Sequence, residues 1–99
     1  MKFEWDSLKN DRNMKYHNIS FETAAHIFDD ELRIEYIDEL HCQNEIRYIT
    51  IGRVHEILFV VYTERGENIR LISARVATKK ERSMYYDRIN NNYERTKTY

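Results

Sequence analysis

Between Leu32 and Arg75, apolar and polar side chains exchange places with the period of a β-strand. "LRIEYI" (32–37), "EIRYITIG" (45–52) and "NIRLISAR" (68–75) alternate, while "ILFVVYT" (57–63) is apolar throughout, as a central strand is. "KFEW" (2–5) is a further short strand. The helical patterns lie outside this block. Asp6 can cap a polar helix through about His17, whose apolar content is limited to Leu8 and Met14, with Tyr16 half-polar. Such a helix buries little and is expected to cover an edge of the domain. Ser20 caps a second helix, in which Phe21, Ala24, Ala25 and Phe28 recur at i, i+3, i+4 and i+7 as a core-facing stripe.

Thr78 and Glu81 match a capping box and start a last helix through about Asn90. Gly52 and Gly66 are the only glycines and there is no proline. "GRVHE" and "ERGE" therefore read as hairpin loops, with Gly66 supplying a positive φ. The order is a short N-terminal strand, two helices, an antiparallel sheet of about four strands, and a C-terminal helix. That is an α+β architecture, one domain over residues 1–90, with 91–99 expected as a frayed or disordered tail.

Composition narrows the function classes. The 99 residues are 41% hydrophobic and 33% charged, enough for a single modest core. No apolar run approaches the roughly 18 residues of a membrane helix, and no secretory h-region opens the chain, which reads as cytoplasmic with no membrane partner. The lone Cys42 agrees with a reducing compartment and lies in acidic surroundings unsuited to a nucleophile. His17, His26, His41 and His55 share no metal-ligand spacing, so neither a metal nor a cofactor is expected.

The net charge of −1 conceals an asymmetry. Residues 21–45 carry eight acidic side chains against Arg33 alone, whereas residues 46–99 carry eleven basic and six acidic. Folded onto different faces, these segments would give an acidic and a basic side, the latter suited to phosphate; a mixed, soluble surface is the plainer reading.

Arg75 stands where the last strand gives way to the last helix, either as a solvated strand end or as part of an anion-binding corner. Strand alternation puts Ile69, Leu71, Ser73 and Arg75 on one face and Arg70, Ile72 and Ala74 on the other. Arg53 and Arg65 sit in the two hairpin loops, Arg53 toward the same end of the sheet as Arg75 and Arg65 at the other. Lys79 and Lys80 oppose the macrodipole of the last helix, so either an anion or the neighbouring Glu81 must compensate.

Five stretches resemble the BrnT ribonuclease toxins: "FEWDSLKNDRN" (3–13), "HNISFETAAHIFDD" (17–30), "RYITIGR" (47–53), "LFVVYTERG" (58–66) and "IRLISARVATKKERSMYY" (69–86). They follow in the expected order from about residue 3 to residue 86. One departure is Tyr16–His17, where the family usually has Lys-His. The resemblance implies a RelE-like microbial ribonuclease fold and an endoribonuclease that cleaves RNA without a metal through the substrate's own 2′-hydroxyl, inhibiting translation. It further implies a BrnA-like ribbon-helix-helix antitoxin, with operator DNA bound only through the antitoxin complex. Arg75 then resembles the position from which RelE-type enzymes hold the scissile phosphate, a task suited to a planar guanidinium. His17 is the acid–base candidate, or else a partner for its helix C-terminus. Tyr85 is expected to stack on a base or orient a proton, with Tyr86 packing on the sheet. Lys9, Arg53, Arg65, Lys79 and Lys80 are the RNA- or phosphate-binding candidates. The alternative is a catalytically inactive homologue retained as an antitoxin-binding co-repressor.

Overall fold

Asp6 starts the first helix as expected: its carboxylate accepts the N–H groups of Leu8 and Lys9, and Asn18 ends the helix at φ 56°. These features belong to a computed structural model that describes residues 1–42 and 44–97. Strand β1 (Lys2–Glu4) is followed by α1 (Ser7–His17), a single turn α2 (Phe21–Ala24) running into a 3₁₀ segment (Ala25–Asp29), then β2 (Ile34–Ile37), β3 (Arg47–Val54), β4 (Glu56–Arg65), β5 (Asn68–Val76) and α3 (Lys79–Lys97). No described helix is long and apolar enough to cross a membrane.

The sheet has five strands in the order β1-β5-β4-β3-β2. The four later strands form the expected antiparallel meander, and β1 adds a fifth by pairing parallel to β5, Lys2 opposite Asn68 and Glu4 opposite Arg70. Glu4 secures that seam by accepting from Arg70 at 2.7 Å and from Asn68 at 3.2 Å. A first core lies between the sheet and the α2 segment, built on Phe21, Ala24, Ile27, Leu58, Val60, Tyr62 and Leu71. A second lies on the other face under α3, built on Ile49, Ile51, Ile57, Val61, Ala77 and Tyr85.

Several expectations are corrected. The second helix is not a uniform α-helix: it tightens to 3₁₀ after Ala24, so Ile27 joins Phe21 and Ala24 as its fully buried side chains, while Ala25 and Phe28 of the expected stripe pack against the same core partly buried. "GRVHE" is not a loop. Strands β3 and β4 pair to Val54 opposite Glu56, and the positive φ of the turn falls on His55, at 63°. Arg53 is thus a strand residue. Gly52 has a different purpose: a Cβ there would lie 2.7 Å from Ile27 Cγ1 and 3.1 Å from Arg33 Cβ, so its absence lets the 3₁₀ segment lie on β3. Gly52→Ala is expected to cost about 1–3 kcal/mol, typical of overpacking, as a lowered midpoint in chemical denaturation. Gly66 does take the expected positive φ, at 61°. Helix α3 continues to Lys97, past its expected end, while residues 98 and 99 of the expected frayed tail lie outside the described residues.

The face assignment on β5 also changes. Tyr62 pairs with Leu71 but Val61 pairs with Ser73, leaving Ile72 as a bulge that reverses the alternation. Ile69, Leu71 and Ala74 therefore share the first core, and Ile72 packs with the second. Arg75 falls on the α3 side, its guanidinium 3.9 Å from the centroid of Phe59.

Candidate functional site

Helix α1 buries almost nothing apolar: Leu8, Met14 and Tyr16 are exposed, and its one buried residue is Asn13, at 5% exposure. Strand β1 pairs only with the first part of β5, so beyond it the β5 edge is bare. Asn13 closes that edge. Its Oδ1 accepts the Ala74 N–H at 3.0 Å, and its Nδ2 donates to the carbonyls of Ala74 and Ile19, both at 2.8 Å. One side-chain amide thus takes the place of a neighbouring strand. Asn10 extends the arrangement by accepting the Phe21 N–H at 2.8 Å.

With α1 docked this way, one polar stripe faces the sheet edge. Lys9, Arg12, Asn13, Tyr16 and His17 recur at i, i+3, i+4, i+7 and i+8, and together with Arg47, Ile72 and Ser73 they line an open groove of about 270 Å³. No carboxylate lines it among the described residues. Lys9, Arg12 and Arg47 also form no salt bridge among the described residues, unlike Arg33, Arg65, Arg70 and Arg75, each of which has a carboxylate partner. Free cations gathered in a concavity make a positive field that attracts polyanions. Strand β2, within the acidic segment, lies at the opposite edge of the sheet.

Of the residues singled out from the sequence, this groove collects Lys9 and His17. Arg75 lies further along β5, held by both nitrogens to Glu81 at 2.7 and 2.9 Å. Glu81 also completes the expected capping box, accepting the Thr78 N–H at 2.8 Å while Thr78 Oγ1 accepts the Glu81 N–H. The bond from Arg75 holds the Glu81 carboxyl below the usual carboxylate range, and Glu81 in turn keeps Arg75 charged. Lys79 and Lys80 stand exposed at the start of α3, in the same first turn as Glu81. Arg65 is at the far end of the sheet, as expected, bonded to Glu45 at 3.2 Å.

The two adjacent tyrosines exchange their expected surroundings. Tyr85 is 2% exposed in the second core and donates to Asp30, which places it out of reach of a base. Burial first, then that bond, pushes its hydroxyl up to about 12. Burial opposes the charge on Asp30, but donation from Tyr85 and from the N–H groups of Arg53 and Leu32 more than offsets it, leaving the carboxyl below its usual range. Tyr86 is the exposed member and accepts from Arg53 at 3.2 Å. Arg53 lies at the same end of the sheet as Arg75, as expected, within a network that ties β3 to α3.

Sequence reasoning missed Arg12, Arg47 and Tyr16. The signal for Arg12 and Tyr16 was present: the helix read as featureless when scored for apolar stripes carries its periodic stripe in polar residues. Arg47 had no such signal, because only the pairing of β3 and the docking of α1 bring it to the groove.

Comparison with known proteins gives the arrangement its family. The crystal structure of the Brucella abortus ribonuclease toxin BrnT has a similar fold, with a TM-score of 0.61 and 24% sequence identity over 80% of this chain and 99% of that one. No curated protein sequence matches. The sequence model described as "Ribonuclease toxin, BrnT, of type II toxin-antitoxin system" matches residues 5–81, the span from Trp5 through α1, strands β2 to β5 and the Arg75–Glu81 pair, and the chain belongs to that family.

Proposed function

We propose that the chain is a metal-independent endoribonuclease of the cytoplasm that stops translation by cutting RNA in the groove between α1 and β5, and that a BrnA-like ribbon-helix-helix antitoxin silences it. The observation that carries this reading is the convergence of Lys9, Arg12, Arg47 and His17 on one concavity free of carboxylates among the described residues. Cleavage through the 2′-hydroxyl requires removal of its proton, attack of the oxygen on phosphorus, and departure of the 5′-oxygen with a proton, leaving a 2′,3′-cyclic phosphate. An imidazole suits the proton transfers and guanidinium or ammonium groups suit the charge gathering on phosphorus. His17 ends α1, and Arg12 and Lys9 lie about one and two turns before it. The three tasks can therefore be met along one helix face.

Arg75 joins this reading as a reserve cation on the same strand, available to phosphate once Glu81 lets go. Lys79, Lys80 and Arg53 border that end of the sheet and would extend the track of the RNA. A second reading, an inactive homologue serving as antitoxin-binding co-repressor, is favoured by the two-point grip of Glu81 on Arg75 and by Tyr16 standing where the family usually has lysine. Operator DNA would be met only through the antitoxin in either case.

Incubating purified protein with single-stranded RNA in excess EDTA separates the two. The expected result is endonucleolytic cleavage giving 2′,3′-cyclic phosphate and 5′-hydroxyl ends. Loss of cleavage restored only by added divalent metal would overturn metal independence. A folded, antitoxin-binding protein that leaves RNA intact with or without metal would establish the co-repressor.

A further inference from the structure

Tyr16 has no place in either core. Its ring is 69% exposed, it packs in neither core, and among the described residues its hydroxyl makes no hydrogen bond. Most other aromatics on the strands and α3 pack in a core or are engaged with a neighbouring ring or cation, as Tyr48 on Tyr62 and Tyr86 with Arg53 are, while Tyr36 on β2 is a second exposed ring that lines no basic groove. Tyr16 instead lines the basic groove, one position from His17 and one turn from Arg12, with Lys15 Nζ 5.6 Å from its ring centroid.

We infer that Tyr16 is a stacking platform for an unpaired base, so that the groove takes single-stranded rather than duplex RNA. This deepens the nuclease reading and rests on the same groove. The physical argument runs from the division of labour in single-strand recognition: cations follow the backbone, and aromatic rings take the faces of bases splayed away from it. Lys9 and Tyr16 are seven residues apart, roughly 10 Å along the helix axis. A backbone held by Lys9, Arg12 and Arg47 thus runs past the ring, and the nucleotide beside Tyr16 also lies beside His17. In a duplex both faces of each base are already covered by its stacked neighbours, and the ring has nothing to receive. Tyr16 then fixes which base is presented to the proton-transfer group, by stacking strength and not by a hydrogen-bonding code.

The test uses the full chain and a short single-stranded 2′-O-methyl RNA bearing 2-aminopurine. Lacking the attacking hydroxyl, it binds without being cut. The native protein is expected to quench 2-aminopurine fluorescence on binding and to bind the single strand at least tenfold more tightly than the same sequence as a duplex. Tyr16→Ala should weaken binding about 5- to 100-fold, as loss of one stacked base does, and abolish the quenching. Tyr16→Phe should retain both, and Tyr16→Lys should restore affinity at low salt without restoring quenching. Wild-type affinity and quenching in Tyr16→Ala, or equal affinity for duplex and single strand, would overturn the inference. Its fate is separable from that of the nuclease reading. Tyr16-dependent binding of the uncleavable strand, with no cleavage of ordinary RNA, leaves the platform standing and removes the nuclease. Cleavage with a Tyr16→Ala variant of native affinity does the reverse.

Discussion

His17→Ala is expected to lower RNA cleavage by about 10²–10⁴-fold while leaving thermal unfolding essentially unchanged, the range typical of losing a general acid or base. The imidazole is exposed at the end of α1, so its removal takes no core contact with it. The neighbouring cations should respond differently. Arg12→Ala and Arg47→Ala act on the charge that holds RNA, so each should flatten the slope of log binding constant against log salt by about 0.7 for a single strand. Single-turnover cleavage and salt titration of binding separate the two effects. Native cleavage in His17→Ala, together with a rate abolished by Arg75→Lys in a folded protein, would move the chemistry from this groove to the corner where β5 meets α3.

Asn13→Ala is expected to be strongly destabilising for a substitution outside the hydrophobic cores. It removes the partner of the Ala74 N–H and of two carbonyls in a site that is nearly closed to water. Buried groups left without partners cost about 1–3 kcal/mol each. Allowing for partial access of water to the exposed strand edge, the loss should be about 2–4 kcal/mol, a fall in Tm of roughly 10–25 °C for a domain of this size. Asn13→Asp should fare no better, since a carboxylate can accept the Ala74 N–H but cannot donate to the Ala74 and Ile19 carbonyls. Circular dichroism melting checks both, and a fall of under 3 °C in either would mean that α1 is held to the sheet by something other than this amide.

The sequence carried most of the strands, the capping of α1 and α3, and the turn at Gly66, because each is written in local periodicity or in a residue with a particular backbone preference. What it did not carry depends on partners distant in the chain. The bulge at Ile72 has no local mark, and it alone decides that Arg75 faces α3 and not the core that holds Leu71. Gly52 was read as a turn residue because glycine usually is one. Its actual constraint is Ile27 pressing on its Cα, a contact between segments twenty-five positions apart. Tyr85 and Tyr86 are neighbours with opposite fates, and only the docking angle of α3 distinguishes them. For the site, His17 and Lys9 were legible as residue types, whereas the groove they enter is a product of α1 lying along β5.

That groove is stitched from the two ends of the folding unit. Lys9, Arg12, Tyr16 and His17 lie within the first seventeen positions, yet the wall they face, Ile72 and Ser73, belongs to the last strand, and β1 finds its only strand partner there too. On a translating ribosome the N-terminal helix emerges early, with no edge to settle against until β5 follows it out. The cationic cleft comes into being only after β5 has been made. A product cut short before Ser73 would bear the charges without the cleft.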